Sequence, residues 1–235
     1  MGQQAADIPS GARSRLPRGA GSGLASAWWR PWLVRGVLLA ASVILLASLA
    51  RPYWTMRVEA PQYPKGLALV VYANRIEGDV REIDMLNHYI GMKPLNEGAT
   101  TERRLAIPGV VAAAIALVLL GWLSTRWATG LALPTLAIPL VFALDLYYWL
   151  WTFGLHLDPK APLSHAVKPF VPPLVGQGKI AQFDVVAGFG HGFWLAVAAG
   201  VLALVALWLK RRGHGRVRAV LVALTAGLVT LGVGR

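Results

Sequence analysis

The side chains best suited to chemistry in this sequence lie in one short run, Asp84-Met85-Leu86-Asn87-His88-Tyr89-Ile90-Gly91-Met92. In a helix, at about 100° per residue, Met85, His88 and Met92 fall within roughly 60° of one another, while Val80, Ile83, Leu86 and Ile90 gather on the opposite side. Two thioethers and one imidazole then share a face that aliphatic packing does not need. Such donors suit copper, above all Cu(I), better than zinc. The chain has no cysteine, which excludes disulfides, thiolate zinc sites, iron–sulfur clusters and covalently attached haem as properties of its own. The competing reading is plain packing for the methionines and a solvated surface residue for His88.

What must position this run is a membrane. The chain has 235 residues, is 56% hydrophobic and carries a formal charge of +12, and its apolar residues come in blocks of spanning length. Its basic residues flank those blocks instead of forming a stripe on a soluble domain. They therefore read as topology signals facing anionic lipid, and no nucleic-acid partner is expected.

In order, residues 1–27 read as a disordered basic cytoplasmic tail. Residues 28–51 form a first span anchored by Trp28, Trp29 and Trp32. Residues 52–104 form an extracytoplasmic loop, with a short strand or extended segment at Leu67–Ala73 and a short amphipathic helix over 80–92 that Gly91 and Pro94 stop. Spans follow at 105–123 and 130–152, joined by a tight turn. A proline-rich extracytoplasmic loop occupies 153–187; its prolines speak against a long helix or a central strand and predict an irregular, stiff cap. A fourth span at 188–209, a basic cytoplasmic turn at 210–218 and a short fifth span at 219–235 complete the chain. The expected fold is thus an all-α integral membrane protein with about five transmembrane helices and two extracytoplasmic loops. Charge asymmetry places the amino terminus in the cytoplasm; in a bacterium, where the membrane is then the inner one, the two loops face the periplasm.

Four of the five histidines (His88, His156, His165 and His191) fall on the extracytoplasmic side with Met85, Met92, Asp84 and Asp158. The second loop can therefore supply a lid, with His156, His165 or His191 completing a site begun by Met85, His88 and Met92. Asp145 lies inside the third span, where an ionisable group is a functional candidate by default. Its alternatives are pairing with an arginine or hydrogen bonding to a tyrosine to lock helix packing.

Signatures of catalysis are absent: there is no glycine-rich phosphate loop, nucleophile elbow or His-Glu-x-x-His run. A non-enzymatic role is therefore expected, as an accessory protein or a subunit of an enzyme complex.

Three stretches carry a family resemblance: Leu86-Asn87-His88-Tyr89-Ile90-Gly91-Met92, Ala60-Pro61-Gln62-Tyr63-Pro64-Lys65-Gly66-Leu67, and Leu157-Asp158-Pro159-Lys160-Ala161 with Lys168-Pro169-Phe170-Val171-Pro172-Pro173. Over roughly residues 55–195 the sequence resembles small bacterial multi-span proteins encoded near genes for copper-dependent nitrous-oxide reductase. The resemblance implies a periplasm-facing role in copper supply to, or assembly of, a copper oxidoreductase, with another membrane or periplasmic copper protein as partner. It assigns no ligands. The other expectation, of a different class, is a metal-free structural subunit that docks onto a larger membrane enzyme through aromatic, proline-rich loops, with Trp54, Tyr63, Trp149, Trp151, Phe170 and Trp194 as anchors.

Overall fold

The computed structural model describes residues 29–232 apart from 61, 124, 125, 164, 181 and 182; it describes no side chains for 29, 30, 60, 126–128 and 212–232. The basic tail expected over 1–27 lies outside the described residues. Of the fifth span expected over 219–235, the helical backbone up to Gly232 is described; it continues without a break the helix that starts at His191, so the backbone of the turn expected over 210–218 is helical as well.

Four long helices come from the apolar blocks: α1 (Trp29–Ser48), α3 (Thr100–Leu120), α4 (Leu133–Leu155) and α5 (His191–Gly232). Four stretches are long and apolar enough to cross a membrane, Pro31–Ser48, Thr100–Leu120, Thr129–Leu155 and His191–Arg211, the third of them beginning in the 3-10 turn just before α4. Pro134 sits in the first turn of α4, where a missing N–H leaves no bond unmade.

α1 packs most closely against α5 and α3, and the contact is made by small side chains. Ala196, Ala199, Ala203 and Ala206 of α5 are buried at helical spacing, as is Ala41 of α1, so the backbones approach closely. Ser42 Oγ lies 2.8 Å from Leu38 O and 3.1 Å from Ala114 O, sharing its proton between its own helix and α3. Lys210 donates to the carbonyls of Leu120 and Leu123, at and just beyond the end of α3. Leu39, Val43, Ile115, Leu140, Leu144 and Val201 remain exposed on the outer faces, as hydrocarbon-facing residues of a bundle do.

At one end of the bundle the two long connections fold together into a sheet, and this overturns the all-α expectation. The protein is mixed α/β. Strands β1 (Trp54–Ala60), β2 (Tyr63–Val71) and β3 (Ile76–Gly78) come from the first connection. Strands β4 (Gly176–Ile180) and β5 (Phe183–Phe189) come from the second. They form one antiparallel sheet in the order β3-β2-β1-β5-β4. β1 is central: Trp54 pairs with Val71 on one side and Phe189 on the other. Trp54, Met56 and Val58 are buried while Thr55, Arg57 and Glu59 are exposed, the period of two that a half-buried strand requires.

The prolines of the second connection do not oppose this pairing, because all of them precede β4. Pro159, Pro162, Pro169, Pro172 and Pro173 occupy the irregular segment, and β5 is left free to donate to β1. The inner sheet face packs against α2 (Val80–Ile90) through Ile83, Val80 and Leu86, and against Phe142, Leu146 and Leu150 of α4. Trp54, fully buried, donates from Nε1 to Leu174 O at 2.6 Å and so ties the central strand to the chain entering β4.

Candidate functional site

α2 is held at both ends by backbone geometry. At its start the Asp79 carboxylate accepts the Ala68 N–H at 2.7 Å and the Asp79 N–H donates to Ala68 O at 2.8 Å, fastening the helix to β2. At its end Gly91 is left-handed with φ 83°, and Met92 N–H returns to Asn87 O at 2.9 Å, the closure of a Schellman turn. This turn takes Met92 off the helical repeat. Met85 and His88 are exposed on α2, whereas Met92 is half-buried and lines a cavity. Asn87 faces inward beside Ile83, its amide nitrogen buried without a hydrogen-bond partner among the described residues.

The second connection docks on this helix end. Asp158 N–H donates to Gly91 O at 2.8 Å and Leu163 N–H to Tyr89 O at 2.9 Å. The segments carrying His156 and His165 thus meet the end of the helix that carries His88. His165 is exposed. His156 Nδ1 lies 2.9 Å from Thr152 O, and its ring stands edge-on to Trp151. His191, also exposed, opens α5 just beyond β5. Asp84 and Asp158 are engaged with backbone: Asp84 accepts Leu95 N–H at 2.9 Å and Asp158 accepts Lys160 N–H at 2.8 Å. Among the described residues no three of His, Asp and Glu come together in a metal-holding group.

Asp145 lies elsewhere, on a cavity of about 520 Å³ between the sheet, α3 and α4. α3 and α4 touch only sparsely, which leaves this space. The walls are apolar, supplied by residues such as Leu69, Val71, Val110, Ile138 and Phe142. Glu102 and Asp145, the two acidic residues of the four spanning stretches, both line it. Among the described residues neither makes an ion pair, so the arginine pairing considered for Asp145 is not made. Trp149, one turn on from Asp145, also lines the cavity, and its buried indole N–H has no hydrogen-bond partner among the described residues.

Sequence reasoning missed Glu102 and the docking role of Gly91, and it offered Trp149 as a docking anchor and not as a wall of this cavity. Glu102 had a legible signal, an acid at the entrance of a span. Gly91 was legible only as a helix stop, because the Asp158 backbone that fills the space beside it is far away in the chain. Neither the protein-family models nor the curated proteins compared with this chain match it.

Proposed function

We propose that the protein is an accessory protein of the bacterial inner membrane, its amino terminus cytoplasmic and its sheet cap extracytoplasmic, that binds Cu(I) as cargo. It delivers copper to, or assists assembly of, a copper oxidoreductase. The observation that carries the reading is the exposure of Met85 and His88, one turn apart on α2, while Ile83 and Leu86 take the packing face. Packing therefore does not account for Met85, which is 50% exposed. A thioether and an imidazole on one open face suit Cu(I), and the chain holds no thiol to compete for it. His156 and His165, on the segments that meet the end of α2, are the candidates to complete the coordination; Met92, which turns to the cavity, and His191, at the start of α5, are the more distant ones.

The test is a Cu(I) competition titration of the full chain in nanodiscs. Stoichiometric binding is expected, with loss on combining Met85→Leu, His88→Ala and Met92→Leu. Met85 and His88 are exposed, so their substitution leaves the core untouched. Unchanged binding by the triple variant overturns the assignment.

A second reading is supported by a different feature. Met85, Tyr89 and Leu163 are exposed apolar residues, and Leu163 is hydrogen-bonded to the Tyr89 backbone. Together they form a small apolar patch on the cap, as a docking subunit needs. Elemental analysis separates the readings. A metal-free protein that co-purifies with a larger membrane enzyme, and loses it on Tyr89→Ser with Leu163→Ser, favours the subunit.

A further inference from the structure

We infer that the cavity between α3 and α4 is a binding site for one aminophospholipid, with an acyl chain in the cavity and the phosphoethanolamine head group across the first turn of α3. The hydrocarbon part follows from size and lining. At about 520 Å³ the space is several times the ~150 Å³ apolar cavity that takes up benzene. Its walls are overwhelmingly apolar, and the lining residues Leu105, Gly109 and Val141 are exposed, so the cavity opens on the surface of the bundle. In a bilayer such a space is reached by lipid tails.

The head group follows from charge. Arg103 is shared between the cavity and an adjoining polar hollow formed with Asn74, Thr100 and Arg104. Its guanidinium is fixed by donating to the carbonyls of Asn96, Gly98 and Ala99. Arg104 is exposed beside it. Two guanidiniums, a hydroxyl and an amide suit a phosphodiester. On the cavity side of Arg103 stand Glu102 and Asp145, of opposite sign and with no cation paired to them among the described residues. A ligand that satisfies both halves carries a phosphate and an ammonium within one head group. Ethanolamine supplies three N–H donors to carboxylates; a choline has none, and a phosphoglycerol brings no positive charge.

The experiment places the full chain in nanodiscs of mixed phosphatidylethanolamine, phosphatidylglycerol and phosphatidylcholine, and reads retained lipid by native mass spectrometry. Retention of phosphatidylethanolamine over phosphatidylglycerol by about tenfold is expected, the ratio that one charge-assisted contact provides. Gly109→Phe fills the cavity from a position whose added Cβ meets nothing within 4 Å, and retention of all three lipids should fall. Should that variant not fold, Val141→Trp at the exposed rim makes the same test. Glu102→Gln with Asp145→Asn should keep lipid bound but erase the preference. Soluble phosphoethanolamine should not displace the lipid. Retention that mirrors the nanodisc composition, retention unchanged by both cavity-filling variants, or displacement by phosphoethanolamine alone overturns the inference. The Cu(I) titration is a separate readout, so failure of either proposal leaves the other distinguishable.

Discussion

Replacing Gly91 by alanine tests how the cap is held together. Gly91 has φ 83°, where a side chain costs about 1–2 kcal/mol. The added Cβ would also lie 2.6 Å from Asp158 O and 2.7 Å from Asp158 N. Both are backbone atoms, so no side chain can swing aside, and the second connection must retreat. Retreat breaks the bonds Asp158 N–H to Gly91 O and Leu163 N–H to Tyr89 O, at about 1 kcal/mol each. The sum, about 3–4 kcal/mol, lowers the local opening energy and corresponds to roughly a hundredfold or greater loss of amide protection. Hydrogen exchange of the Asp158 and Leu163 amides in nanodiscs reads it directly. Gly36→Ala is the control: it lies within α1 with nothing within 4 Å of an added Cβ, and should be neutral or mildly stabilising. Protection of Asp158 and Leu163 in Gly91→Ala equal to that of the parent refutes the docking argument. If the copper reading holds, the same variant weakens Cu(I) binding with Met85 and His88 still in place.

Two further outcomes follow from the cap. Trp54→Phe leaves Leu174 O without its donor and opens a void at the fully buried centre of the sheet; a loss of about 2–4 kcal/mol is expected in denaturant unfolding in nanodiscs. Tyr53 is buried, its hydroxyl 2.7 Å from Ser48 Oγ, and Ser48 also lies 2.6 Å from Leu45 O. Burial raises the Tyr53 phenol above its ordinary value of 10.0, with the Ser48 hydrogen bond acting in the opposite direction. Since the folded pKa exceeds the unfolded one, its contribution is fully present below pH 10.0 and is lost as pH rises from there through the folded value. Tyr53→Phe should cost about 1 kcal/mol at neutral pH and flatten this alkaline decline. A parent and variant with identical unfolding profiles above pH 10.0 would show that the phenol is not shielded.

The four spanning stretches were legible because hydrocarbon demands a long apolar run with its backbone bonds made internally, a condition visible in any window of sequence. The short helix was legible too, from Asp79 at its start and Gly91 at its end. The sheet was not. β1 and β5 are joined across more than a hundred residues, and their register depends on α1 and α5 bringing Pro52 and Gly192 into hydrogen-bonding contact. The proline-rich wording of the second connection hid two strands that begin only after the last proline. The Asp84–Met92 run shows the same division. Its helical face was readable up to His88, and its exposure there follows from Ile83 and Leu86 taking the sheet side. Where Met92 goes was decided by the left-handed turn at Gly91, which sends its side chain to the cavity. The juxtaposition of Glu102, Arg103 and Asp145 likewise depends on the sparse packing of α3 on α4, an outcome of helix positions and not of any local pattern.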